Sequence, residues 1–170
     1  AQVLDFIAGR LRVYLSERDF AADVISAVLS EQAANPYSAL VGIQELTEWV
    51  TRDDWETILD NYARCVRITR SEDEQHTVDE ALFEEDAEKQ LFAAYEVAAV
   101  KLDADVHGDN GNVADFLEAF TPMVPAVTTF FDNVLVNADD PAVRGNRIGL
   151  LQAISAMQVG RADLGELDNF

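Results

Sequence analysis

Arginines in this chain cluster in two stretches that contain no acidic residue, although the protein as a whole is strongly acidic. Residues 61–70, NYARCVRITR, hold three arginines, and residues 141–162 hold three more. The 170 residues include 32 acids against 12 basic residues, which gives a formal net charge of −20. Cations kept apart from acids in such a protein are typical of a surface that binds an anion.

The first stretch is predicted to lie on a helix, the fourth along the chain. At about 100° per residue, Arg64, Arg67 and Arg70 form a slanting stripe down one side of that helix. Arg64 is predicted to point away from the core, and Arg70 to approach the edge of the core. Cations near a helix C-terminus also favour the helix dipole, which explains Arg70 well and Arg64 poorly. Both interpretations, anion binding and the dipole, stay open on these residues alone.

The second stretch places its arginines on different sides of the last predicted helix. Arg147 falls inside the apolar stripe, close to Val143, where an unpaired charge would be costly. Arg147 is therefore predicted to form a structural ion pair, with Asp132 or Asp140 as the main candidates and Asp139 as a further one. Arg144 lies on the flank and is the better candidate for facing a ligand.

The fold is predicted to be all-α. Apolar residues recur at helical spacing along almost the whole chain, and no alternating strand pattern is present. Helices are predicted to begin at two prolines, after Asn35 and after Asp139 or Asp140, because a polar cap followed by proline is a helix start. A long helix is predicted from about Asp79 to Asp103. We expect about seven helices in a bundle that forms a single domain over residues 1–170.

Catalytic signatures are absent from the sequence. There is no glycine-rich phosphate loop, no paired-histidine metalloprotease motif and no cysteine pair. His76 and His107 each stand alone in a polar loop and are interpreted as solvated. Cys65 is interpreted as a small buried side chain. Without a nucleophile–base arrangement a stand-alone hydrolase is excluded, and no catalytic residue is predicted.

Metal sites and membrane spans are not predicted either. The segment DADVHGDNGNVA, from Asp103, resembles a calcium loop, but Ala114 stands where the bidentate glutamate is needed. Glu84 and Glu88 share a helix face without a histidine and are interpreted as solvated. No apolar run approaches the roughly 20 residues that span a bilayer. The single cysteine fits a reducing compartment, so a cytoplasmic location is expected.

Several segments together resemble a known family. FFDNVLVNADDPAVRGNRIGLL, residues 130–151, resembles the C-terminal end of the bacterial glycyl-tRNA synthetase beta subunit. ALFEEDAEKQLFAAY, FIAGRLRVYL and RADLGEL also resemble segments of that family, in the same order along the chain. The resemblance covers nearly the whole sequence, and its residues 130–151 are its most specific part.

The resemblance implies a helical anticodon-binding (DALR-like) domain that holds the anticodon stem-loop of tRNA(Gly). Glycine activation with ATP and Mg²⁺ would take place on the alpha subunit or a fused alpha portion, so no cofactor is expected in this chain. Arg64 matches the arginine of the family's Arg-x-x-Asn-Ile element in the fourth helix, whereas Arg67 stands where asparagine is usual. The predicted RNA-contacting residues are Arg64, Arg67, Arg70, Arg144, Asn146 and Asn61. Because glycine anticodons end in two cytosines, an acidic acceptor near the bases is also expected.

A second hypothesis is a helical protein–protein interaction module without RNA binding. Phe6 and Val13 lie opposite the apolar stripe of the first predicted helix, so that helix is apolar on two faces. Such a helix is expected to meet a further partner. The absence of an initiator methionine predicts that the chain belongs to a larger protein.

Overall fold

The computed structural model describes residues 2–104 and 112–170, with side chains described for residues 9–103 and 112–170. Within these residues all regular secondary structure is helical. The α-helices are α1 (Gln2–Ser16), α2 (Ala22–Gln32), α3 (Pro36–Trp49), α4 (Trp55–Thr69), α5 (Asp86–Ala104), α6 (Val113–Phe120), α7 (Val124–Asn133) and α8 (Pro141–Ser155). The all-α prediction is confirmed; the described α-helices number eight, close to the seven or so expected.

Two helices begin where their capping residues predict. The Asn35 side chain accepts a hydrogen bond from the backbone N–H of Ser38 at the start of α3, at 3.2 Å. The Asp140 side chain accepts from the N–H groups of Ala142 and Val143 at the start of α8, at 2.8 and 3.3 Å. In both helices proline follows the cap and supplies the first helical residue.

The long helix predicted from about Asp79 begins later, at Asp86. A short 3-10 turn comes first, and extended backbone separates it from α5. The start of α5 is set by a cap from inside the helix: the Glu88 carboxylate accepts from the N–H groups of Glu84 and Glu85, at 3.0 and 2.8 Å. The predicted start was therefore wrong because a side chain within the helix satisfies the first free amides.

The chain divides into two compact units that alternate along the sequence. One unit comprises the described parts of residues 1–59, 105–117 and 158–170, and the other comprises residues 60–104 and 118–157. In the first unit α2 packs against α1 and α3. In the second unit α5 packs against α7 and α8. The single domain over residues 1–170 stays a prediction.

Helix α8 is buried around almost its whole circumference. Ten of its 15 residues are buried: Val143, Gly145, Asn146, Arg147, Ile148, Gly149, Leu150, Leu151, Gln152 and Ile154. A helix apolar or small on every side is typical of the interior of a domain. An ionised carboxylate at these positions would lose its hydration without compensation. Burial is therefore sufficient to explain why this helix contains no acid.

Candidate nucleic-acid interface

Arg64 is half-buried on α4 and lies against an aromatic ring. Its guanidinium carbon is 4.4 Å from the centre of the Phe131 ring on α7. Within the described residues this guanidinium makes no hydrogen bond and no ion pair. The prediction that Arg64 points away from the core is wrong in part, because the side chain lies along α7. Its N–H donors nevertheless remain available.

Arg67 and Arg70 follow Arg64 along α4, and both are exposed. Arg67 lies in the last turn of the helix, where a cation favours the helix dipole. Arg70 comes just beyond the last helical residue. The stripe predicted along this side of α4 is therefore present as one half-buried and two exposed arginines.

Arg144 is shared between an acid and an amide. Its guanidinium donates to Glu72, just beyond α4, and to the side-chain oxygen of Asn137, just beyond α7, the latter at 3.3 Å. The Arg144 side chain is 34% exposed, against 18% for Glu72. Arg64 contacts α7 from α4, whereas Arg144 joins α8 to the segments that follow these two helices. Arg144 is only partly available to an external ligand, since some of its donors are used.

Arg147 is the centre of a buried ion-pair network. Its side chain is 5% exposed, and it donates to both carboxylate oxygens of Glu88, at 2.9 and 3.2 Å. It also donates to Glu84 at 3.2 Å and to the backbone carbonyl of Leu135 at 3.0 Å. The predicted burial and ion pairing of Arg147 are confirmed. Arg147 thereby ties α8 to the start of α5 and to the segment that precedes α8.

The predicted partners of Arg147 were wrong. Asp140 caps α8, and Asp132 is exposed on α7. The actual partner, Glu88, is 59 residues away along the chain and is completely buried, so the solvated interpretation of Glu88 was also wrong. Burial raises the pKa of Glu88, but Arg147 and the backbone amides of the α5 cap outweigh this effect and hold it below its ordinary value. Glu88 therefore stays ionised beside Arg147 at neutral pH.

The two asparagines predicted to contact RNA are buried. Asn61 is 6% exposed and accepts from the Thr128 hydroxyl at 2.9 Å. Asn146 is 2% exposed, and its oxygen accepts from the backbone N–H of Asp79 at 2.6 Å. Neither amide is exposed to a base edge in this arrangement, and their RNA-contacting roles stay predictions. Both amides stabilise the interior.

The polar loop after α4 packs on α8 and is not freely solvated at His76. The backbone N–H of His76 donates to the Gln152 side chain at 3.0 Å, and the Gln152 amide donates to the carbonyl of Glu74 at 2.8 Å. A Cβ built on Gly149 would lie 3.0 Å from the carbonyl oxygen of His76, and one on Gly145 would lie 3.1 Å from its ring. This contact could have been predicted from Gly145 and Gly149, because residues four apart share one helix face and two glycines there leave room for another segment.

The remaining features considered from the sequence are the cysteine, metal sites and membrane spans. Cys65 is buried as predicted, and burial raises the pKa of its thiol to about 12. Within the described residues no group of three or more potential ligands can hold a metal ion. The calcium-like loop falls largely outside the described residues, as does His107. Among the described helices, none is both long and apolar enough to cross a membrane.

Comparison with known proteins finds curated relatives that match nearly the whole chain. No family model matches it. The chain is 36% identical over 172 residues to the glycine–tRNA ligase beta subunit of Geotalea daltonii, which covers 98% of the chain and 24% of that subunit. The corresponding subunit of Anaeromyxobacter dehalogenans is 34% identical over 171 residues, with the same coverage. The chain thus spans about a quarter of the length of the curated relatives it matches, and it is homologous to one segment of the glycine–tRNA ligase beta subunit.

Proposed function

We propose that this chain is the anticodon-binding segment of a glycine–tRNA ligase beta subunit and contacts the anticodon stem-loop of tRNA(Gly). The observation that carries the proposal is the similarity to such subunits over 98% of the chain. In this proposal the chain supplies RNA recognition in the cytoplasm. Activation of glycine with ATP and Mg²⁺ takes place on the alpha subunit or a fused alpha portion, which the rest of the beta chain contacts.

The distribution of charge limits how the RNA is bound. With a net charge of −20, the protein repels phosphates at long range, so affinity has to come from local contacts. Arg64 offers unpaired donors, Arg67 and Arg70 are exposed beside it, and Arg144 is partly exposed. These four side chains make up the proposed contact surface. We expect weak binding by the isolated chain that falls as salt rises.

The proposal is tested by titrating the 170-residue chain into a fluorescently labelled stem-loop with a glycine anticodon, and into the same stem-loop with another anticodon. We expect tighter binding of the glycine anticodon, and about tenfold or greater loss for Arg64→Ala if it stacks on a base. Arg18→Ala is the matched control, because Arg18 lies 4.2 Å above the Tyr14 ring on α1. Equal loss in both variants, or none in Arg64→Ala, would contradict the role given to Arg64.

An interaction module without RNA binding is the second candidate. It is favoured by exposed apolar side chains on α1, where Val13 is 56% and Tyr14 45% exposed. The Phe6 side chain, predicted on the same surface, lies outside the described residues. Equal affinity for every anticodon, together with no effect of Arg64→Ala or Arg144→Ala, would favour this candidate.

A further inference from the structure

The Arg64 guanidinium contacts an aromatic ring and no carboxylate, as the Arg18 guanidinium also does on Tyr14. Arg144 and Arg147 both donate to carboxylates, whereas the described contacts of the Arg64 guanidinium consist of one aromatic ring. The acid that most closely precedes Arg64, Asp60, is four residues away on α4, and the described contacts include no ion pair between the two. An unpaired, half-buried guanidinium of this kind is poised for an external partner.

The ring beneath Arg64 is fixed by the core. Phe131 packs edge-to-face on Phe130, with ring centres 5.5 Å apart and planes at 85°. Phe130 is completely buried, and α7 packs against α5. Phe131 itself is only half-buried, so it lies between the core and Arg64. The core therefore restricts the ring, and the ring in turn restricts the guanidinium.

We infer that Phe131 is a positioning residue that holds Arg64 as a stacking surface for an unpaired base of the RNA loop. This inference rests on the proposed function. Single-stranded RNA bases stack on aromatic rings and on guanidinium planes. With one side of the guanidinium against Phe131, a base on the other side would form a ring–guanidinium–base stack, and the edge donors would stay free to bond the same nucleotide.

A phosphate contact is the competing role for Arg64, and the two make different demands on the side chain. A phosphate accepts lysine as a point charge and does not need a ring beneath it. A base stack needs the planar group, and lysine cannot supply it. Loss of a phosphate contact lowers the salt dependence of binding, by about 0.7 in the logarithmic slope for a single-stranded site. Loss of a stack lowers affinity at every salt concentration alike.

The test measures Kd for the glycine-anticodon stem-loop across a series of salt concentrations for six chains: the wild type, Arg64→Lys, Arg64→Ala, Phe131→Leu, Phe131→Tyr and the control Arg18→Lys. We expect about tenfold weaker binding for Arg64→Lys and for Phe131→Leu, with an unchanged salt slope. Phe131→Tyr keeps the ring and should bind like the wild type, as should Arg18→Lys. Thermal melting of each chain reports separately whether the fold is intact.

The outcomes separate this inference from the proposed function. If the wild type binds and Arg64→Lys binds equally well, the stacking role is overturned while the proposed function stands. A lower salt slope in Arg64→Ala would assign the contact to a phosphate and overturn the stacking role in the same way. If the wild type binds no stem-loop, the proposed function fails and the inference fails with it. Should Phe131→Leu not fold, the Arg64→Lys comparison still decides.

Discussion

The ion pair between Arg147 and Glu88 offers the most direct test of how the second unit is held together. Glu88→Gln is the most conservative way to break it, because the amide keeps the size of the side chain and an oxygen for the α5 cap. What the substitution removes is the negative charge beside a guanidinium whose side chain is 5% exposed. Glu84 remains as a partner of Arg147, but its side chain is 61% exposed.

The expected cost follows from the burial of the charge left behind. Removing one partner of a buried ion pair typically destabilises a protein by about 3–5 kcal/mol, since the remaining charge is neither hydrated nor compensated. For a chain of this size, 1 kcal/mol corresponds to about 2–4 °C in melting temperature. Glu88→Gln should therefore lower Tm by about 6–20 °C. The double variant Glu88→Gln/Arg147→Met should be destabilised less than Glu88→Gln alone, because it leaves no buried charge without a partner.

The wild type, Glu88→Gln, Arg147→Met and the double variant form a double-mutant cycle. Thermal and urea unfolding of these four chains give the coupling energy of the pair. Lys101→Met is the control, since it breaks the ion pair of Lys101 with Glu118, whose side chains are 42% and 57% exposed. Exposed pairs contribute at most about 1 kcal/mol. A loss of stability in Glu88→Gln no larger than that of Lys101→Met would refute the view that Arg147 depends on Glu88.

Two further predictions follow from the same interior. The pKa of Glu88 is lowered in the folded chain, so its stabilisation is fully present above the ordinary carboxyl pKa of 4.5 and is lost as the pH falls through the lowered value. In urea unfolding, the stability gap between the wild type and Glu88→Gln should therefore narrow as the pH falls below 4.5. Gly149→Ala should destabilise the chain by about 1–3 kcal/mol, because the new Cβ meets the His76 backbone. A Cβ on Gly9 would meet nothing within 4 Å, so Gly9→Ala should be neutral or stabilising by about 0.5–1 kcal/mol. Equal denaturant midpoints for Gly149→Ala and Gly9→Ala would count against the close contact between Gly149 and His76.

Features encoded by neighbouring residues were predictable from the sequence. The starts of α3 and α8 follow from a polar cap and a proline next to each other, so no tertiary contact is needed to identify them. The burial of Arg147 followed from helical periodicity in the same way. The start of α5 was not predictable by these signals, because its cap is Glu88, whose carboxylate is also fixed by Arg147 from another helix.

Features that depend on distant segments were missed. Acids close in sequence to Arg147 were favoured as its partners, although periodicity says nothing about which helix lies opposite. His76 and Asn146 were interpreted from local polarity, and both are positioned by contacts more than 60 residues away along the chain. In both cases a side chain on α8, Gln152 or Asn146, accepts from a backbone N–H of the segment between α4 and α5.

The two acid-free stretches turn out to have different physical causes. In residues 141–155 the burial of α8 on nearly every side is sufficient to explain why acids are absent, and an anion-binding role is not needed there. Residues 61–70 differ, since Arg64 and Arg67 on α4 and Arg70 just beyond it are half-buried or exposed, and Arg64 has no acidic partner among the described residues. Burial therefore does not account for the absence of acids in residues 61–70. The electrostatic argument for RNA therefore depends on α4, and within α4 it depends most on Arg64.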